Sequence, residues 1–268
     1  LKKLIVIVVV ILSFSAIVVG KMHWNNKIEA NAKIAQSEKP DVLVKTVTEG
    51  NQDDVKKVIE VKNYSKNLPQ DIQTKLISAA QNGTSVNLII AGSNSTPKDP
   101  IGWPTLLKQE LEKTYGEDVL NVKIKEIADK TSTQVVQEEL YREIIELSPD
   151  ILLFEPFILY DNGHVVPIER RLNNITEILG TITEELPDVS ILLQPANPLY
   201  NARNYPNEID RLEGFAEDNN YTYLNHWKAW PAYKSKEIIE YLNDGEPSEK
   251  GHEVWAQYLL KYFTANNN

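Results

Sequence analysis

The chain has 268 residues, 42% hydrophobic and 25% charged, with a formal net charge of −10 and no Cys. Length and composition suit one globular α/β domain plus an additional segment. The acidic balance disfavours nucleic acid as a partner, because phosphate binding needs clustered Lys and Arg. The lack of Cys excludes disulfides, thiolate nucleophiles and Cys-based zinc sites.

In chain order, the first element reads as a membrane segment. Lys2 and Lys3 precede an apolar run from Leu4 to Gly20 that only Ser13 and Ser15 interrupt. As a helix the run reaches roughly 25 Å, near the lower limit for spanning a bilayer. Met22 and Trp24 extend it, and Trp suits the interface. The expectation is a retained signal anchor over 1–24, with the Lys pair inside and a single-pass protein body outside the cell membrane. Ser13-Phe14-Ser15 offers a weak cleavage site, and cutting there would give a secreted protein instead.

Residues 25–84 read as a polar tether and a small appendage. Within them 41–62 carries two Val-rich segments that suggest a hairpin, the second of which also suits a helix, and 68–81 predicts a helix closed by Asn82-Gly83. From residue 86 the rhythm changes. Strands are predicted over 86–91, 119–127, 151–155, 189–194 and 221–224. Helices are predicted over 105–115, 133–147, 168–186 and 206–219, with a final helix over 249–265. Nearly continuous apolar strands alternating with amphipathic helices imply a parallel sheet covered on both faces. With right-handed crossovers, 85–268 is expected to form a three-layer α/β/α, flavodoxin-like sandwich on a five-stranded parallel sheet.

In such a sheet the chemistry collects at the carboxyl ends of the strands. The first strand runs straight into Gly92-Ser93-Asn94-Ser95-Thr96. A Ser hydroxyl attacks well only beside a base, so Ser93 and Ser95 read either as nucleophile candidates or as turn caps. Among the four His of the chain, His252 opens the last helix behind Pro247-Ser248-Glu249. There it suits a general base, with Glu249 or Asp244 orienting its ring. His226, beside Trp227, follows the fifth strand and competes for that role, while His23 and His164 read as surface residues. Asp129-Lys130, Glu155-Pro156, Tyr160-Asp161-Asn162 and Gln194-Pro195-Ala196-Asn197 follow the other strands and converge on the same rim. Amides near Ser93 and Lys130, or an Asn side chain, could serve an oxyanion. Trp227, Trp230 and Tyr233 suit either a core cap or a sugar platform. Neither a metal-ligand cluster nor a phosphate-cradling Gly loop is present, so no metal and no cofactor is expected.

The strand–GSNST–GWP opening and the tail DGEPSEKGHEVWAQYL resemble the first and last blocks of the SGNH (GDSL-type) hydrolases, across roughly residues 86–263. The resemblance implies an acyl-ester hydrolase with a Ser nucleophile and a His base. In this chain Asn94 holds the family's Ser position and Glu246 stands before Pro247 where the family has His. The relay is therefore shifted, to Ser93 with His252 and Glu249, or alternatively to Ser95, His226 and Asp244. Asp129 falls at the oxyanion Gly of the second block. Lys130, Asn162, Asn197 and Trp227 complete the candidate oxyanion and binding residues. The expected function is a membrane-anchored extracytoplasmic serine esterase acting on a small-molecule or carbohydrate ester, such as an O-acylated wall polysaccharide. The alternative is a catalytically degenerate member that binds glycan or another envelope ligand.

Overall fold

The computed structural model of the protein describes residues 52–265. The expected anchor, the tether and the first Val-rich segment lie outside the described residues. Among the described residues no helix is long and apolar enough to cross a membrane.

The second Val-rich segment is helical rather than extended, forming α1 (Gln52–Tyr64). Helix α2 (Gln70–Asn82) follows and ends on Gly83 at φ +64, the left-handed stop that glycine supplies without steric cost. Val61, Ile72, Leu76 and Ala79 share one core with the first strands of the sheet. From Lys56 onward the described residues form one compact unit, so the boundary expected at residue 84 does not separate two cores.

Strand β1 (Val86–Gly92) is buried at every position except Asn87. It leads through the GSNST turn to α3 (Trp103–Tyr115), which carries Pro104 in its first turn, where a missing N–H costs nothing. β2 (Leu120–Glu126) comes next. The long helix expected over 133–147 is broken into α4 (Ser132–Gln137) and α5 (Arg142–Ile145), with Glu139 between them at φ +52. α4 begins with a reciprocal capping box between Thr131 and Gln134. β3 (Ile151–Glu155), α6 (Ile158–Gly163), α7 (Ile168–Glu185), β4 (Ser190–Leu193), α8 (Tyr205–Asp218) and the two-residue β5 (Thr222–Tyr223) complete the alternation.

All pairings in the main sheet are parallel, in the order β2-β1-β3-β4-β5. This is the doubly wound, flavodoxin-like order, whose switch point falls between β1 and β3. Period-2 alternation divides the apolar residues between two cores. Leu88 and Ile90 share one with Trp103 and Leu107 of α3 and with Trp255 and Leu259 of α9 (Glu249–Thr264). Ile89 and Ala91 share the other with Ile175 and Leu179 of α7 and Leu212 of α8.

A short antiparallel ribbon, β6 (Leu242–Asn243) with β7 (Glu246–Pro247), precedes α9. Asp244 and Gly245 turn it at φ +50 and +91, as a two-residue Asp-Gly hairpin requires. Ser248 then caps α9, accepting the Gly251 N–H at 3.4 Å. A Cβ at Gly251 would lie 2.9 Å from the Trp230 ring. Glycine at that position is what lets the helix start, and His252 beside it, seat this close to the body.

Candidate active site

Across the switch point Gly92 is paired with Glu155, and the GSNST turn folds over this junction. A Cβ on Gly92 would lie 2.7 Å from both the main-chain oxygen and Oε2 of Glu155. Only glycine leaves room for that carboxyl to bend across the strand end. Oε2 accepts the Ser93 N–H at 2.9 Å, the Ser93 hydroxyl at 2.7 Å and the Thr96 hydroxyl at 3.2 Å. Oε1 is buried without a hydrogen-bond partner. Burial pushes the Glu155 carboxyl up to about 8, against the three bonds at Oε2, and the charge of Asp161 adds to the rise.

Above this junction lies a cleft of about 450 Å³. Ser93, Asn94 and Ser95 line it from the β1 turn, Tyr160 and His164 from α6 and its end, and Asn197 from the loop after β4. Asp244, Glu246 and His252 close it from the last hairpin and α9. The cleft therefore draws on the loops after β1, β3 and β4, the last hairpin and one helix N-terminus.

The expected relay of Ser93, His252 and Glu249 is not the one the side chains form. Ser93 and His252 line the same cleft, but the Ser93 hydroxyl is donated to Glu155. His252 Nδ1 accepts the Trp103 backbone N–H at 3.2 Å, so the neutral ring carries its proton on Nε2. Burial lowers the pKa of His252, with Asp99 opposing. The ring is therefore a neutral N–H donor near pH 7. Glu249 is exposed on α9 and, among the described residues, makes no side-chain hydrogen bond to His252. The reason is geometric: Glu249 and His252 lie one turn apart on α9, while the imidazole Nδ1 is taken by the start of α3.

The alternative partners also divide. Ser95 and Asp244 line the cleft. The Ser95 hydroxyl reaches Asn197 Oδ1 at 3.5 Å, and the Ser95 N–H reaches Ser93 Oγ at 3.2 Å. His226 is wholly buried away from it. Its Nε2 donates to the Pro195 carbonyl at 2.9 Å, its Nδ1 accepts from Trp230 Nε1 at 3.0 Å, and its ring stacks on Trp255 at 3.9 Å. Burial pulls its pKa down to about 3. With both nitrogens committed, His226 is a neutral core residue and not a base.

The proposed oxyanion and binding residues spread out. Asn197 lines the cleft, but its amide nitrogen is donated to Gly245 at 2.8 Å. Lys130 pairs with Glu138 at 2.6 Å, and Asn162 donates to Glu208 at 2.8 Å, beside the buried Arg171–Glu208 ion pair. Trp227 faces a separate, smaller groove with Tyr233, its Nε1 donated to the Ala196 carbonyl. Trp230 is core. Asn94, at the position of the family's nucleophile, is held on the second loop: its Oδ1 accepts the Asp129 N–H at 2.8 Å and its Nδ2 donates to Asp129 at 2.9 Å.

In sequence Glu155 reads only as a polar strand end and His164 as a surface residue. His164 is exposed, but at the cleft wall, stacked on Tyr160 at 4.2 Å. The available signal for Glu155 was a charged residue closing an otherwise apolar strand, which burial on both faces makes expensive unless used. Among the described residues no cluster of three or more His, Cys, Asp or Glu is arranged to hold a metal.

This architecture has solved counterparts. The chain is similar to a protein of Parabacteroides merdae assigned as a GDSL-like lipase, at 14% identity and a TM-score of 0.57 over 67% of this chain and 96% of that one. It is likewise similar to a protein of Desulfitobacterium hafniense assigned to the G-D-S-L lipolytic family, at 16% identity and 0.55, over 66% and 99% of the two chains. A third counterpart is a catalytic mutant of the acetylxylan esterase Axe2 of Geobacillus stearothermophilus, at 16% and 0.52, over 68% and 95%. No family model matches the chain, and no curated protein matches it in sequence. What these likenesses show is a shared fold, the one adopted by GDSL-like lipases and esterases.

Proposed function

We propose that the protein is an ester hydrolase on the SGNH fold, with Ser93 as nucleophile and an O-acylated carbohydrate of the cell envelope as substrate class. The observation that carries this reading is the cleft at the switch point, where a hydroxyl bonded to a carboxylate and an imidazole face one space. Ser93 Oγ adds to the ester carbonyl carbon as its O–H proton passes to a neighbouring base. The His252 Nε2–H is the donor offered to the developing oxyanion. Collapse breaks the ester C–O bond, the departing alkoxide takes up a proton, and water then hydrolyses the acyl-Ser93. The carbohydrate part is supported by the acetylxylan esterase among the structural neighbours. The envelope part is supported by the apolar run from Leu4 to Gly20 behind two Lys, with the body outside the membrane.

The test is labelling of the purified protein by a serine-directed fluorophosphonate, together with turnover of p-nitrophenyl acetate. Both are expected, and Ser93→Ala is expected to abolish both. Equal turnover by Ser93→Ala and its parent would remove this nucleophile.

A second reading, ligand binding without turnover, is favoured by one observation. Asn94 stands where the family places its nucleophile, and two hydrogen bonds to Asp129 lock it there. A folded protein that never labels, yet binds an acylated oligosaccharide, would establish that reading instead.

A further inference from the structure

We propose that Glu155, and not an imidazole, is the group that takes the proton from Ser93. This rests on the reading of Ser93 as nucleophile and adds a proton acceptor that departs from the expected Ser–His pairing.

Four features of the molecule lead to it. First, the Ser93 hydroxyl is already donated to Glu155 Oε2 at 2.7 Å, within the reach a general base needs. Second, His252 cannot accept through the atom left to it, because its Nδ1 is held by the Trp103 N–H and Nε2 is then protonated. His226 is excluded by its two core hydrogen bonds. Third, Gly92 is kept free of a Cβ where one would meet the carboxyl, so the chain makes room for Glu155 at this strand end. Fourth, Oε1 of this wholly buried carboxyl has no partner. A purely structural carboxylate would use both oxygens.

The surroundings fit a base poised near neutral pH. The titratable groups facing Glu155 are Asp161 on α6 and Tyr205 on α8, and neither supplies a positive charge. Among the described residues no Lys or Arg hydrogen-bonds to it. Burial raises its pKa to about 8, so ionised and protonated forms are both accessible.

The proton count closes. As Ser93 Oγ bonds to the carbonyl carbon, its proton moves to Glu155 Oε2. Water in the cleft protonates the leaving alcohol oxygen as the C–O bond breaks, leaving hydroxide. In the second half that hydroxide adds to the acyl carbon, and Glu155, which touches Ser93 and not the cleft, hands its proton back to Ser93 Oγ when the acyl group departs. No other co-reactant is required.

The experiment is the pH dependence of fluorophosphonate labelling and of p-nitrophenyl acetate turnover by the full chain. The parent protein and Glu155→Gln, Glu155→Asp and His252→Gln are compared, with thermal melts as a folding control. The parent rate is expected to rise with pH and level off above about 8. Glu155→Gln is expected to lower kcat about 100-fold or more and to abolish the rise, while Glu155→Asp recovers part of the rate with a moved midpoint. His252→Gln is expected to lower kcat about 10-fold or more by displacing the ring N–H donor from its position, with the midpoint unmoved. If His252→Gln erases the pH dependence while Glu155→Gln or Glu155→Asp keeps it, the inference is overturned and the esterase reading stands. If the folded parent never labels at any pH, the nucleophile itself is wrong and both readings fall. Should Glu155→Gln not fold, the midpoint in His252→Gln and in Glu155→Asp decides the matter alone.

Discussion

Two buried serines stand at opposite ends of the parallel sheet, each hydrogen-bonded to a carboxylate. Ser190 opens β4 at the amino end and donates to Asp71 of α2. Ser93 follows β1 at the carboxyl end and donates to Glu155. At the amino end a cation completes the arrangement. Lys75 donates to Ser190 Oγ at 2.7 Å, to the Asp150 carbonyl at 2.9 Å and to the Asp188 carbonyl, while Asp71 is exposed to water. Burial lowers the pKa of Lys75, but Asp71, Asp150 and Asp188 oppose it, and three acceptors suit the charged ammonium. At the carboxyl end the carboxyl is fully buried and, among the described residues, has no cation bonded to it and leaves one oxygen unpartnered. A serine hydroxyl on a carboxylate is thus a satisfied staple in one place and an unsatisfied, titratable group in the other. Buried polar groups that are completely paired hold structure, and those left incomplete are where chemistry is expected.

The largest expected effect breaks the carboxyl-end arrangement directly. Gly92→Ala drives a methyl into Glu155 Oε2 at 2.7 Å. It should cost about 3 kcal/mol in a denaturant titration and abolish fluorophosphonate labelling. A stable, fully labelling Gly92→Ala protein would mean that the carboxyl does not need its present seat. Next comes the other pole. Lys75→Met removes three donated hydrogen bonds and should cost about 2 kcal/mol, with p-nitrophenyl acetate turnover unchanged. A fall in turnover per folded molecule would show that the two ends are coupled and the contrast false.

The pH dependence of stability sharpens the same comparison. Glu155 has a pKa of about 8 in the folded protein, against 4.5 as a free side chain. The folded state keeps a proton that the unfolded chain releases, so this contribution is full below about 4.5 and is lost as pH rises to about 8. Thermal melts should decline across that window, and Glu155→Gln should flatten the decline. His226 acts in the opposite sense. Its pKa falls from 6.5 to about 3 on folding, so its contribution is present above 6.5 and is lost as pH falls toward 3. His226→Gln should remove part of the acid-side loss. The smallest effect is expected at Val165, a β-branched residue held at φ +58 and 85% exposed. Val165→Gly should stabilise by about 0.5–1 kcal/mol through relief of that backbone, with the cleft chemistry unaltered.

Much of the fold was legible because it depends on local rules. Apolar runs at 86–91 and 151–155 read as strands covered on both sides, and those stretches are buried almost throughout. Asn82-Gly83 stopped a helix where a left-handed residue was needed. The break inside 133–147 was not legible, since Glu139 adopts a positive φ without a glycine or proline to announce it. The second Val-rich segment suited either state by pattern, and packing of Val61 into the main core settled it as a helix.

The site divides along the same line. Residues 93, 95, 197, 244 and 252 could be placed on one rim from strand-end position alone, and they line one cleft. Their pairing could not be read in that way. Ser93 and Glu155 are 62 residues apart, His252 and the Trp103 N–H 149 apart, and His226 meets Pro195 from 31 residues away. By itself the sequence determined which side chains arrive at the carboxyl end of the sheet, because strand period and turn chemistry act over a few residues. Only the tertiary structure decided which carboxyl meets the hydroxyl, which ring nitrogen keeps its proton and which histidine is sealed in the core. Hydrogen-bond partnership and desolvation depend on ångström distances between segments that the chain brings together only by folding.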